Sequence, residues 1–475
     1  MLQLYNSSSI IKMQILIARV IKMKKENTIL KNAFTILLGA LLMGLLWRVR
    51  GEHGWGSSWG LLNAGFIFTM FIVVVKETRQ KLDSAWIALT ALSFMLTTPG
   101  WGTLLNQITG VIYSADAWSV GGADVYTSIG SAVFLMLSLG FGLAALFGIM
   151  LGRGFSEKQW KIKDFIILLA VFFATDLIAS AVISPFILNA IQPEAAEVFE
   201  KGLELQNIDG SAYQVYMEHF KDVSWAKKID GGRNYFQSAD VITAAIQAIV
   251  SLLTVRFIIK DKVSAKTGLV VCSAFAIGIT VADLFFYFGN GGYHELHESY
   301  LHPMFSPWGC WEYFTGFIAG GIITAFILKL KPQRDVPELA FGKVPEKAKT
   351  ILTFIVGTVF IVGVNIVRPV LVRYDSSDYV IIATIIAVIY SIGFVLSLVK
   401  NFGINCSKGN LITYFEYLLL FFMGFISAAY LIIGSSEYLH MLGNRSFQDN
   451  MVIISAMIII IWLSFHKNKT KKASE

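Results

Sequence analysis

Two arginines, a glutamate and a histidine stand among four glycines and three tryptophans in the stretch Trp47-Arg48-Val49-Arg50-Gly51-Glu52-His53-Gly54-Trp55-Gly56-Ser57-Ser58-Trp59-Gly60. Arginine presents a planar fork of N–H donors that matches a carboxylate or phosphate, and glycine lets backbone come close to a ligand. Indole faces add stacking surface. Arg48, Arg50, Glu52, Trp55 and Trp59 are therefore a candidate binding set for an anionic or sugar-like group, with His53 a candidate general base. The competing reading is structural: the arginines neutralise the negative end of a preceding helix and the glycines only make a turn.

A second polar stretch follows Asp283 and runs Gly289-Asn290-Gly291-Gly292-Tyr293-His294-Glu295-Leu296-His297-Glu298, leading on to Trp308 and Glu312. His294 and His297 would share a helical face with Glu298, so a divalent cation is conceivable there, although the spacing is not that of the two-histidine zinc protease motif. The main expectation is no metal and no cofactor. Histidine beside carboxylates also suits proton transfer, so His297 joins His53 as a candidate catalytic base. Trp308 and Glu312 join the binding set. A solvated polar loop is the bland alternative. Because both stretches gather basic, acidic and aromatic groups at helix ends, the expectation is that they meet in one site.

Within apolar sequence, Asp176 lies in Phe172-Phe173-Ala174-Thr175-Asp176-Leu177 and Asp283 in Val281-Ala282-Asp283-Leu284-Phe285, while Glu416 stands nearer the end of its run. An ionised carboxylate facing lipid costs roughly 2.5–3.5 kcal/mol on insertion scales, so each should face protein or a water-filled cavity. Asp176 and Asp283 are candidate proton-coupling residues. A protonated acid bridging two helices is the alternative.

The elements that must position these residues are membrane helices. Of 475 residues 55% are apolar and only 15% charged, with a mean hydropathy of +0.63, which leaves too little polar surface to cover a water-soluble globule. Apolar runs of about spanning length occur at Lys31–Trp47, Ser57–Val75, Ser84–Thr98, Ser128–Leu151, Asp164–Ser184, Asp240–Ile259, Gly268–Phe288, Gly309–Leu328, Ile351–Val367, Tyr379–Val399, Leu411–Ile433 and Met451–Phe465. The fold class expected is an all-α polytopic integral membrane protein of about 12 transmembrane helices. Lysine and arginine collect between alternate runs, at Lys76, Arg79 and Lys81, at Lys158, Lys161 and Lys163, at Lys329, Lys331 and Arg334, and in the tail. The positive-inside rule then places both termini in the cytoplasm and the protein in the plasma (inner) membrane.

This topology divides the chain into a basic N-terminal cytoplasmic segment (1–28), a membrane part of about eight spans (29–330) with an outer loop (185–238) as a partial cap, a basic linker (331–350), a second membrane part of about four spans (351–466) and a basic tail (467–475). It also puts eight of the eleven tryptophans (Trp47, Trp55, Trp59, Trp101, Trp118, Trp225, Trp308 and Trp311) at or beyond the outer boundary, where an aromatic belt is the ordinary explanation. The three cysteines, Cys272, Cys310 and Cys406, are too scattered for a disulfide framework or a metal knuckle.

No phosphate-binding loop is present, so ATP-driven chemistry is not expected, and the net charge of +7 sits in membrane-flanking loops rather than in a nucleic-acid surface. The partners expected are the lipid bilayer and a small polar or anionic solute. The leading reading is a secondary transporter or permease with an outward-facing site. A membrane-embedded enzyme acting on a lipid-linked sugar or acyl substrate, and a scaffold or assembly protein, are the alternatives.

Overall fold

The computed structural model describes residues 28–50, 57–76, 84–96, 129–191, 233–286, 307–330, 411–432 and 447–472, with isolated positions between 388 and 396. All the regular structure among them is helical. Helix α1 is Thr28–Arg50. Then come α2, Ser57–Lys76, and α3, Ser84–Leu96. Helices α4, Ile129–Leu143, and α5, Ala145–Arg153, form a pair bent by 40° at Ala144. Helix α6, Ile162–Ile178, runs through a π-turn at Ala179–Ile183 into α7, Ser184–Ile191. Helix α8, Arg233–Leu253, also ends in a π-turn, and α9, Lys262–Ala282, follows directly. Helices α10, Pro307–Lys329, α11, Leu411–Ile432, and α12, Phe447–Lys472, complete the described set.

Among the described residues six helices are long and apolar enough to cross a membrane, or seven if the bent α4–α5 pair is one span. Apolar stretches in α2, α3 and α11 are shorter, at Gly60–Lys76, Trp86–Leu96 and Tyr414–Ser427. These coincide with the apolar runs read from the sequence. The runs at Ile351–Val367 and Tyr379–Val399 fall outside the described residues but for isolated positions. So do the N-terminal segment, most of the loop expected to cap the bundle, and the linker at 331–350.

Large apolar side chains left uncovered follow helical spacing. On α6 they are Ile162, Ile166, Leu169, Phe173 and Leu177, and on α12 Ile454, Met457, Ile461 and Phe465. Continuous apolar stripes of this kind are unfavourable in water and natural against acyl chains, so the surface agrees with an α-helical membrane protein.

Lipid is as apolar as leucine, so helices inside it are held by close approach and by hydrogen bonds rather than by hydrophobic burial. Both devices are present. A Cβ added to Gly316 or Gly320 of α10 would strike backbone carbonyl oxygens of α1, at Met43 and Gly39 respectively, so only glycine allows the two helices this near. Further along the bundle Trp86 Nε1 donates to the Met150 carbonyl at 2.8 Å, tying α3 to α5.

Two ends of the bundle can be told apart. At the lysine end, where α2 and α10 finish, Lys76 Nζ donates to the carbonyls of Leu328 and Leu330. There too the turn between α8 and α9 carries Lys260 at φ 64 and the buried Asp261. Its carboxylate accepts hydrogen bonds from Ser156 Oγ (2.8 Å), Trp160 Nε1 (2.8 Å), Ser264 N (2.9 Å) and Ser264 Oγ (2.6 Å). Bonds to a charged acceptor contribute roughly 1.5–3 kcal/mol each. Asp261 thus fastens the turn between α5 and α6 to the start of α9. At the other, the arginine end, α1 finishes and α10 and α12 begin.

Candidate functional site

The sequence places Arg48 and Arg50 in a hairpin, whereas in the structure both are helical and end α1. Each is almost wholly buried. Arg48 Nη1 donates to Glu312 Oε2 at 2.7 Å, and Arg48 Nη2 lies 3.8 Å from Asp449 Oδ1. Arg50 Nη2 lies 3.8 Å from the other carboxylate oxygen of Glu312. Glu312 is in the second turn of α10 and Asp449 in the first turn of α12. The cations therefore stand at a helix C-terminus and the anions near helix N-termini, so each charge is favoured by its own helix dipole as well as by its partners.

Pairing of the two arginines with the two carboxylates offsets the cost of holding charge in a nearly dry environment. Its walls are close. Gly309 is so near that an added Cβ would stand 3.0 Å from Arg48 Cζ and 2.6 Å from Gln448 Cγ, and Cys310 is buried beside it. Below, the Arg50 guanidinium lies 4.4 Å from the centre of the Trp47 ring. Trp47 meets Phe275 at 4.9 Å, and Phe94 stacks on Phe147 at 4.3 Å, giving the charges an aromatic floor. Trp47 and Trp311 have no exposed surface, so these two belong to the protein core and not to an interfacial belt.

Thus the structure joins Arg48, Arg50 and Glu312, drawn from the two polar stretches. Asp283 is fully buried at the C-cap of α9. Since Gly278 rests on the Thr315 carbonyl of antiparallel α10, Asp283, about one turn further on, reaches the level of Trp311 and Glu312. Asp449 and Gln448 complete the cluster and were not anticipated, because the last apolar run reads as starting at Met451. The available signal was an acidic residue two positions ahead of that run, at the end where two arginines needed partners.

Trp59 and Trp308 lie in the first turns of α2 and α10, but their side chains are outside the described set. Glu52, His53, Trp55, His294, His297 and Glu298 are outside the described residues altogether. Among the described residues no group of three or more His, Cys, Asp and Glu could hold a metal ion. Asn63, in α2, is buried, with no hydrogen-bond partner for its Oδ1 among the described residues.

Asp176 belongs to a different place, the seam between α6 and α8. There Gln247 Nε2 donates to the Phe172 carbonyl at 3.2 Å, and Ser184 and Thr243 share a hydrogen bond of 2.7 Å. Asp176 is half-buried, and Asp240 of α8 lies within electrostatic range of it. The π-turn begins three residues later, and Ser180 Oγ donates to the Asp176 carbonyl at 2.7 Å. A polar seam with an irregular helix turn can take up a proton or a cation and change its packing in response.

Comparison with models of known protein families, with curated proteins and with solved structures finds no match for this chain.

Proposed function

We propose that this protein is a secondary transporter of about twelve spans in the plasma (inner) membrane, with the arginine end facing outward and both termini in the cytoplasm. Its solute is small and polar or anionic. The observation that carries this reading is the cluster of Arg48, Arg50, Glu312 and Asp449, in which Arg48 and Glu312 meet at 2.7 Å while Arg48 and Asp449, and Arg50 and Glu312, lie 3.8 Å apart. Two arginines gathered beside two carboxylates offer an incoming carboxylate or phosphate a place to compete with Glu312 and Asp449. Such an exchange would loosen α1 from α10 and α12, which is how binding can drive a rearrangement of helices.

Orientation is tested with thiols in a background lacking Cys406, since Cys272 and Cys310 are buried. Glu157 and Ala190 are both exposed, near opposite ends of the bundle. In intact cells an impermeant thiol reagent should label Ala190→Cys and spare Glu157→Cys. The reverse pattern inverts the topology.

Transport is tested in proteoliposomes with a panel of labelled carboxylic acids, amino acids and phosphate. Because lysine keeps the charge of arginine but loses its fork, Arg48→Lys should fold and should raise the KM for the transported solute about tenfold, near the 1.4 kcal/mol of one charge-assisted bond. An unchanged KM removes Arg48 from the binding set. Formation of a modified lipid-linked product without uptake would replace transport by chemistry at the membrane surface.

Asp176 is assigned the coupling role. Asp176→Asn keeps shape and hydrogen bonding while removing ionisation, so uptake should persist down a solute gradient and lose its response to an imposed pH gradient. An unaltered pH response would leave Asp176 a packing residue.

A further inference from the structure

At the lysine end, α11 and α12 bring together an acid and a base that the arginine cluster does not involve. Glu416, in the second turn of α11, has no exposed surface, and its Oε1 lies 2.6 Å from Nδ1 of His466 in α12. Its second oxygen, Oε2, is buried with no hydrogen-bond partner among the described residues. The His466 side chain keeps 15% of its surface exposed and its ring lies 5.3 Å from that of Trp462. One member of the pair is therefore sealed in protein while the other reaches the surface.

A purely structural ion pair leaves Oε2 unexplained, because a carboxylate oxygen without a donor in an apolar interior is unfavourable. A carboxyl group that alternates between ionised and neutral forms has less need of a permanent donor there. Histidine is the side chain whose proton affinity suits exchange near neutral pH.

We propose that Glu416 and His466 form a proton-exchange site that opens toward the lysine end. A proton from water adds to Nε2 of His466, and the Nδ1 proton passes to Oε1 of Glu416. The pair changes from one net negative charge to neutral imidazole beside neutral carboxylic acid, and the reverse steps release the proton. No other reactant is consumed. Among the described residues, other ionisable groups on the packed elements are few. Helix α2 contributes Lys76, already bonded to two carbonyls. Helix α10 contributes Lys329 at this end, α11 contributes Tyr414 and Tyr417, and the sequence of α12 continues into Lys467, Lys469, Lys471 and Lys472.

The site extends the transport reading, because α12 carries Asp449 at one end and His466 at the other, about 25 Å apart along the axis. Midway, Ser455 of α12 is hydrogen-bonded to Tyr313 of α10 at 2.7 Å. A change of charge at His466 thus acts on the same helix that supplies an anion to the arginines.

The test is pH-jump infrared difference spectroscopy of the full chain in liposomes, reading the C=O stretch of protonated carboxyl groups. Acidification of the wild type should produce a band that Glu416→Gln lacks. In His466→Gln the imidazole that passes the proton on is gone, so the pH at which the band appears should differ from that of the wild type. A band unaffected by either substitution overturns the proposal. Should Glu416→Gln fail to fold, the His466→Gln titration decides alone, and an unmoved midpoint overturns it. Uptake is measured separately: absence of transport with the band behaving as stated would remove the transporter reading and leave the proton site standing.

Discussion

Glu312→Gln should lower the stability of the purified protein by about 3–5 kcal/mol, the usual cost of breaking a buried ion pair from one side. The carboxylate at position 312 serves two guanidinium groups at once, Arg48 through Oε2 and Arg50 through Oε1. Glutamine keeps the volume and one acceptor oxygen but presents an NH2 donor where the second acceptor stood. Two positive charges then lose the carboxylate they share, leaving Asp449 at 3.8 Å from Arg48, in surroundings too dry to screen them. The expected result is early unfolding, followed by a thiol-reactive dye that reaches Cys272 and Cys310 only when the bundle opens. Replacing Arg50 and Glu312 together by methionine removes one charge of each sign and should cost clearly less than the sum of the two single changes. A Glu312→Gln protein as stable as wild type would show that the cluster does not hold α1 to α10.

The same cluster shows what the sequence made legible. Arg48, Arg50 and Glu312 stood out because charge beside long apolar runs has to be neutralised by something. The chain does not announce by which partner. Asp449 is 401 positions from Arg48 in the numbering, and its place just ahead of an apolar run does not say which cation it meets. The helical state of Arg48 and Arg50 was hidden for the same reason: two cations look like the start of a loop unless acids from α10 and α12 are already in view. Membrane helices as such were easy to read, since length and hydropathy suffice.

Which face of each helix meets protein was not legible. In lipid both faces are apolar, so the pattern that separates core from surface in a soluble helix is weak. Trp47 and Trp311 illustrate this, because their positions near helix ends suited an interfacial belt while their indoles are fully buried. Asp261 carries the same lesson at the lysine end. It reads as an ordinary loop acid until Ser156 and Trp160, from a turn roughly a hundred residues earlier, are seen to donate to it.

Where the faces do meet, glycine marks the contact, and Gly316→Ala should separate two helices that its neighbour Gly321→Ala leaves alone. A Cβ at 316 would overlap the Met43 carbonyl oxygen and stand 2.6 Å from Trp47 Cβ, with backbone on the α1 side and therefore no flexible side chain to swing aside. Among the described residues a Cβ at 321 would meet only Ala40 Cβ at 3.5 Å, an ordinary van der Waals contact. Overpacking typically costs 1–3 kcal/mol, and at 316 the upper part of that range, about 3 kcal/mol, is expected because α10 as a whole must move. That movement also draws Glu312, one turn away, from Arg48. Gly321→Ala carries no such cost and gains helix propensity, so it should be neutral or more stable by up to about 1 kcal/mol. Adding Glu312→Gln to Gly316→Ala should then cost less than it does in the wild type, since the ion pair is already strained by the shifted helix. Equal stability of the two alanine variants in the thiol-dye unfolding assay would mean that α1 and α10 do not cross at Gly316, and the geometry of the arginine cluster would fall with it.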